Sequence, residues 1–143
     1  MEQSIVAPVG VLAGGGLVMV GDHVRRRAER RHAALLCLVE ACAQLSTTYS
    51  RLCGELVDWA DAEDDRSELP RPDALRYEAA TRFFLTPGSE QLSRQASALI
   101  NAYRRLREES PKTAGWKEAC AAHGAAVRAF EGAVRAVVRR GTV

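Results

Sequence analysis

The fold is decided by one long stretch, AERRHAALLCLVEACAQLSTTYSRLCGELVDWAD, which runs from Ala28 to Asp61. A row of mostly apolar residues recurs along it at alternating spacings of three and four, a pattern typical of one helix face. The row consists of Ala28, Arg31, Leu35, Leu38, Cys42, Leu45, Tyr49, Leu52, Leu56 and Trp59. A second row comprises Leu36, Val39, Ala43 and Val57. Because the stripe is wide, we expect this helix to contact two neighbours in a bundle.

Helical patterns continue beyond this stretch. They predict helices over about 28–61, 73–85 plus 89–109, and 111–140, with an acidic loop over 61–72. The expected core rows of the later helices are Leu75, Ala79 and Phe83; Leu92, Ala96, Leu99, Tyr103 and Leu106; and Trp116, Cys120, His123, Val127, Phe130, Val134 and Val137. We expect Ser110 to cap the last helix and Gly141 to end it. No strand alternation is present, so the class is all-α.

The interruption at residues 86–88 leaves the middle arm as either one kinked helix or two helices in series. The arms then form an antiparallel three-helix bundle, with four segments as the alternative. In a three-helix bundle the last helix runs parallel to the first. That direction brings Arg135, Arg139 and Arg140 beside the acidic loop, and it returns Arg104, Arg105, Arg107 and Lys112 to the opposite end.

A second feature precedes the bundle: residues 3–21 carry no charge and are rich in glycine. As a helix, residues 5–21 rise roughly 25 Å against a hydrocarbon core of about 30 Å. This pattern predicts a transmembrane helix within a membrane anchor over 1–24, continuing into the bundle over 25–143. The alternatives are a glycine-rich soluble arm and a segment buried against the rest of the fold.

An arginine cluster directly follows the charge-free run. It consists of Arg25, Arg26, Arg27, Arg30 and Arg31. The positive-inside rule then predicts a single-pass protein of the cell membrane with a cytoplasmic body, and the arginines can also contact anionic lipid. Nucleic acid is a weaker expectation, because the net charge is +2 and the aromatic residues fall on helix seams rather than between the basic ones.

The sequence VGVLAGGGLVMVG at residues 9–21, followed by RRRAERRH at 25–32, resembles small membrane-anchored helical proteins of GC-rich bacteria. The resemblance covers the first third of the chain and implies an anchor. It transfers no functional residue, since most of those proteins have no assigned activity.

Candidate chemistry is sparse. Metal ligands of low priority are Cys42, Cys53, Cys120 and His123, but the chain has no Cys-x-x-Cys pair. No phosphate-binding loop is present. We therefore expect no cofactor, no metal and no catalysis.

Three functions are consistent with these features. The first is a membrane-anchored interaction or scaffolding protein that presents a cytoplasmic helical bundle to a protein partner or to a second copy of the chain. Its expected partner surface is the acidic loop, with Asp61, Glu63, Asp64, Asp65 and Glu68, or a hydrophobic groove. The alternatives are a soluble regulatory or phage-encoded binding module and, last, a metal or redox bundle.

Overall fold

The structure is a computed structural model that describes residues 6–62, 69–71 and 74–141, with side chains from residue 21 onward. The chain divides into two compact units, Met1–Ala33 and Ala34–Val143. All regular structure in the described ranges is helical, which confirms the all-α prediction. The longest helix, α1, spans Val6–Asp61 and contributes to both units.

In the first unit, every described side chain of residues 21–33 is exposed. Two ion pairs one helical turn apart stabilise this part of α1: Arg25 with Glu29 at 3.0 Å, and Asp22 with Arg26 at 3.1 Å. Such exposed pairs contribute about 0.3–0.5 kcal/mol each.

The predicted anchor is described only in part. Nothing is described of residues 1–5, and only the helical backbone is described for residues 6–20. In the part of the chain whose side chains are described, no helix combines the length and the apolar character needed to cross a membrane.

The second unit contains the rest of α1 and three further helices. These are α2 (Ala74–Leu85), α3 (Ser93–Glu108) and α4 (Ala114–Arg140), with a 3-10 turn at Ser89–Leu92 before α3. Each bound lies within a few residues of its expected position. The main departure is at the start of α4, which begins at Ala114 rather than at residue 111.

Contacts with α1 give the direction of each helix. Arg76 in the first turn of α2 lies near Tyr49, whereas Arg82 in the last turn pairs with Glu40 at 3.2 Å. Thus α2 runs antiparallel to α1. Because α3 starts at the end where α2 finishes and brings Tyr103 against Tyr49 (ring centroids 5.5 Å apart), it runs parallel to α1.

The last helix completes the bundle. Cys120, early in α4, lies near Cys53, and Glu131, further along, accepts a hydrogen bond from Ser46 at 3.0 Å. Hence α4 is antiparallel to α1, and the four helices alternate in direction. The three-helix arrangement is wrong. Four helical segments are present, as the alternative had it, but the second and third reverse direction instead of following one another in series.

The turn at 86–88 explains the difference. The hydroxyl of Thr86 donates to the carbonyl of Arg82 at 2.7 Å and closes the end of α2. Gly88 then adopts a left-handed conformation with φ of 87°, which other residues adopt only at a cost. The chain therefore reverses here instead of kinking.

This reversal also overturns the predicted charge placement. Arg135 lies beside Val39 and Ala43, not beside the acidic loop. Arg107, expected at the other end, donates to the carbonyl of Pro70 within that loop at 3.4 Å. Both errors have one cause, since adding one helix inverts the direction of the last one.

The core forms along the predicted rows. From Leu38 to Leu56 the main row of α1 is buried, as is the entire row of α3. Each such leucine contributes about 1.5–3 kcal/mol of transfer free energy. Three parts of the prediction are wrong: Ala28 and Arg31 are exposed, and so are Leu36 of the second row and Leu75 of α2.

Candidate functional site

In the part of the chain that the structure describes, a groove lies between α1 and α4, with a volume of about 300 Å³. Its apolar walls come from Val39, Cys42 and Ala43 on one helix and from Phe130 and Val134 on the other. Val39 and Ala43 belong to the second row of α1, which was expected to pack against a neighbour. Instead, α4 covers that row only in part.

Four polar side chains line the same groove: Ser46, Thr47, Glu131 and Arg135. The Ser46 hydroxyl is buried and donates to the Glu131 carboxylate at 3.0 Å. This bond leaves the second carboxylate oxygen and the exposed Arg135 guanidinium for other partners. The groove is thus apolar along its walls, with one acidic and one basic group.

The Cys42 thiol in the groove is buried. Burial raises its pKa to about 11, so the thiol stays protonated at neutral pH. A nucleophilic cysteine requires the opposite shift.

The remaining metal candidates lie elsewhere. Cys42 and Cys53 are separated by eleven residues of one helix, or roughly 16 Å, so the four residues do not share one site. Cys53 and Cys120 are neighbours, and burial raises the pKa of both thiols. Among residues with described side chains, no three His, Cys, Asp or Glu side chains are placed to hold a metal ion.

His123 is buried in the core, with 3% of its surface exposed. Its ring lies edge-on to Tyr103 at 6.4 Å between centroids, and no hydrogen-bond partner is present for Nε2 among the described atoms. Burial lowers the pKa of the imidazole, so the ring is neutral at neutral pH. It is a core histidine.

All five residues of the arginine cluster are exposed. Arg25 and Arg26 are engaged in the ion pairs of the first unit. Arg27, Arg30 and Arg31 make no ion pair within the described residues. Three cationic groups on this part of α1 are therefore available to anions.

The acidic loop is described only in part. Asp61 is exposed at the end of α1, while Glu63, Asp64, Asp65 and Glu68 lie outside the described residues. Reasoning from the sequence foresaw this loop and a hydrophobic groove, but it did not locate the groove. The small second-row residue Ala43 is the signal that could have located it, because a small side chain leaves space beside α4.

No family model matches the chain, and no curated protein or solved structure matches it either.

Proposed function

We propose that this protein is a membrane-anchored interaction or scaffolding protein, tethered through its first 24 residues, with its helical bundle on the cytoplasmic side. One observation carries the proposal: α1 is a single helix from Val6 to Asp61. Its charge-free start is joined to the core by an exposed basic stretch at residues 21–33. An apolar segment followed by exposed arginines is the arrangement that retains cations on the cytoplasmic side of a bilayer.

The protonation states of the Cys42 thiol and the His123 imidazole support a role in binding rather than catalysis. The Cys42 thiol is protonated and His123 is neutral and enclosed. The groove between α1 and α4, in contrast, offers apolar walls with charged groups beside them, as expected of a recognition surface.

Membrane fractionation of the full-length protein tests the tether. We expect the protein to stay in the membrane pellet after carbonate and high-salt washes and to be released by detergent. Complete release by carbonate would reject the anchor and favour the second candidate, a soluble binding module that uses the same groove.

Cys37 provides the test of orientation, because it is the exposed thiol of the bundle. A membrane-impermeant maleimide should label it in lysed cells but not in intact cells. A Cys37→Ser variant should lose the labelling and serves as the control. Labelling in intact cells would place the bundle outside and contradict the proposal.

A further inference from the structure

The groove between α1 and α4 contains one acid and one base that have no charged partner. Glu131 and Arg135 lie one turn apart on α4, in the order that favours an ion pair within a helix. Instead of forming that pair, the Glu131 carboxylate accepts the hydrogen bond of Ser46 at 3.0 Å. The ion pairs found within the described chain involve other residues. Both charges are therefore available to a molecule that enters the groove.

The α1 side of the groove supplies no charge to either group. Its lining residues are Val39, Cys42, Ala43, Ser46 and Thr47. Glu40, in the same part of α1, pairs instead with Arg82 of α2 at 3.2 Å. An occupant must therefore bring a base to Glu131 and an acid to Arg135.

The apolar walls continue past the groove on both helices. Leu36 lies about one turn before Val39 on α1 and is 56% exposed, while Val138 lies one turn after Val134 on α4 and is 42% exposed. Val39 and Val134 line the same groove, so Leu36 and Val138 lie at a similar level of the antiparallel pair. Apolar side chains are exposed elsewhere on the bundle too, but these two extend a groove that holds unpaired charges. That combination is typical of a protein–protein interface.

A second copy of the chain carries the groups that the groove requires. Two copies of α4 can lie antiparallel about a two-fold axis that passes between Glu131 and Arg135. The acid of each copy then lies opposite the base of the other, and both pairs match because the spacing on each helix is the same, roughly 6 Å. Arg128, a further exposed cation of α4, lies opposite Val138 of the second copy and meets no like charge. One surface thus serves both copies, as in most homodimers.

We propose that the groove between α1 and α4 binds the same face of a second copy, so that two bundles form a two-fold symmetric dimer with α4 against α4. Glu131 of each copy pairs with Arg135 of the other, and Leu36 and Val138 are withdrawn from water. The inference rests on the proposed function, because it names the partner of the binding surface. It is independent of the tether, since every residue involved belongs to the unit Ala34–Val143.

Charge exchange in the full-length protein, kept in detergent micelles, tests this pairing. Glu131→Arg places two bases opposite each other at both contacts, and Arg135→Glu places two acids there. We expect each variant alone to raise the dimer Kd by about 100-fold at low salt. An equal mixture of the two variants should associate again, because each contact then joins an acid to a base. The double variant should regain the association of the wild type for the same reason.

Two measurements report association. Light scattering gives the mass of the protein in the micelle, and energy transfer between donor and acceptor labels on Cys37, the exposed thiol of the bundle, reports pairing in the mixture. Glu118→Arg is the matched control, because it makes the same exchange at an exposed position on the opposite side of α4. It should leave the dimer unchanged.

Circular dichroism verifies the helix content of each variant. Arg135→Glu keeps the bond between Ser46 and Glu131, so it provides the test on its own if Glu131→Arg loses helix content. Val138→Ser, at an exposed position, should weaken the dimer without changing its dependence on salt.

The outcomes separate this inference from the proposed tether. A wild type that is monomeric at every concentration overturns the dimer. Association that both charge variants retain also rejects it, because the contact then lies elsewhere in the chain. Charge variants that dissociate but fail to pair on mixing reject the two-fold arrangement. Each of these results leaves membrane retention intact, whereas release by carbonate with pairing preserved would reject the tether alone.

Discussion

Two adjacent phenylalanines differ sharply in burial and therefore in how much each stabilises the fold. Phe83 is fully buried, and its ring meets Phe130 edge-on with centroids 5.7 Å apart. Phe84 packs against Phe83 but is almost half exposed. The first is part of the core, and the second lies at the surface.

We expect Phe83→Ala to lower the free energy of unfolding by about 3–5 kcal/mol, because it leaves a cavity in the core. Phe84→Ala is the matched control and should cost about 1 kcal/mol or less. Urea unfolding followed by circular dichroism measures both. Similar losses for the two variants would contradict the assigned packing.

His123 makes stability depend on pH. Burial lowers its pKa below the ordinary value of 6.5, so as pH falls through that value the unfolded state takes up a proton that the folded state does not. The free energy of unfolding should therefore decrease as pH falls from 6.5 toward the lowered pKa, and this contribution is absent above 6.5.

A comparison of wild type with His123→Gln isolates that contribution. Unfolding free energies are measured at several pH values on both sides of 6.5. The difference between the two proteins should change with pH below 6.5 and be constant above it. A difference that is constant throughout would mean that the imidazole titrates equally in the folded and unfolded states.

At the scale of the helix, the start of α4 lies at a different residue from the one that the sequence predicts. Ser110 precedes a proline and was expected to be the cap. Instead, the Thr113 side chain accepts a hydrogen bond from the Trp116 backbone N–H at 3.1 Å. Lys112 just before it has a positive φ of 66°, so the chain is still turning there.

Thr113→Ala should consequently cost about 1 kcal/mol of stability, as the loss of a cap does. Ser110→Ala, with its exposed side chain, should be close to neutral. Thermal and urea unfolding of both variants provide the measurement. If Ser110→Ala costs more than Thr113→Ala, the helix begins earlier than the structure has it.

The buried face of a helix was predictable where the row of apolar residues is long and regularly spaced. The entire predicted row of α3, from Leu92 to Leu106, is buried, because each residue there meets a neighbour on the same side. Prediction was wrong for Leu75 of α2, which is exposed although Ala79 and Phe83 of the same row are buried. Since α2 has only twelve residues, its pattern is too short to show that the row leaves the core in the first turn.

For the whole molecule, the number of helices was harder to predict than their positions. The combined length of α2 and α3 matches that of the part of α1 within the second unit, so a single arm and a reversed pair fit the sequence equally well. Whether the chain continues or reverses after α2 depends on local geometry at Gly88 and on packing between distant residues such as Phe83 and Phe130. The volume of the groove depends in turn on how α4 then lies beside α1.

Distances between labels test the resulting topology. Spin labels at Cys37 and Val138→Cys should be close, whereas labels at Cys37 and Lys117→Cys should be farther apart by roughly 30 Å, the rise of the intervening part of α4. Pulsed EPR measures both distances. The opposite order would restore the parallel arrangement of the first and last helices.

The antiparallel pairing of α1 with α4 has a mechanical consequence. The start of the bundle at Leu36 and its finish near Val138 meet at one end, so tension applied between these two points pulls the helices apart from that end. Contacts such as the bond between Ser46 and Glu131 are then broken one after another, as in a zipper. Forced unfolding reports the rate of this opening, and we expect the bundle to yield at low force in this direction.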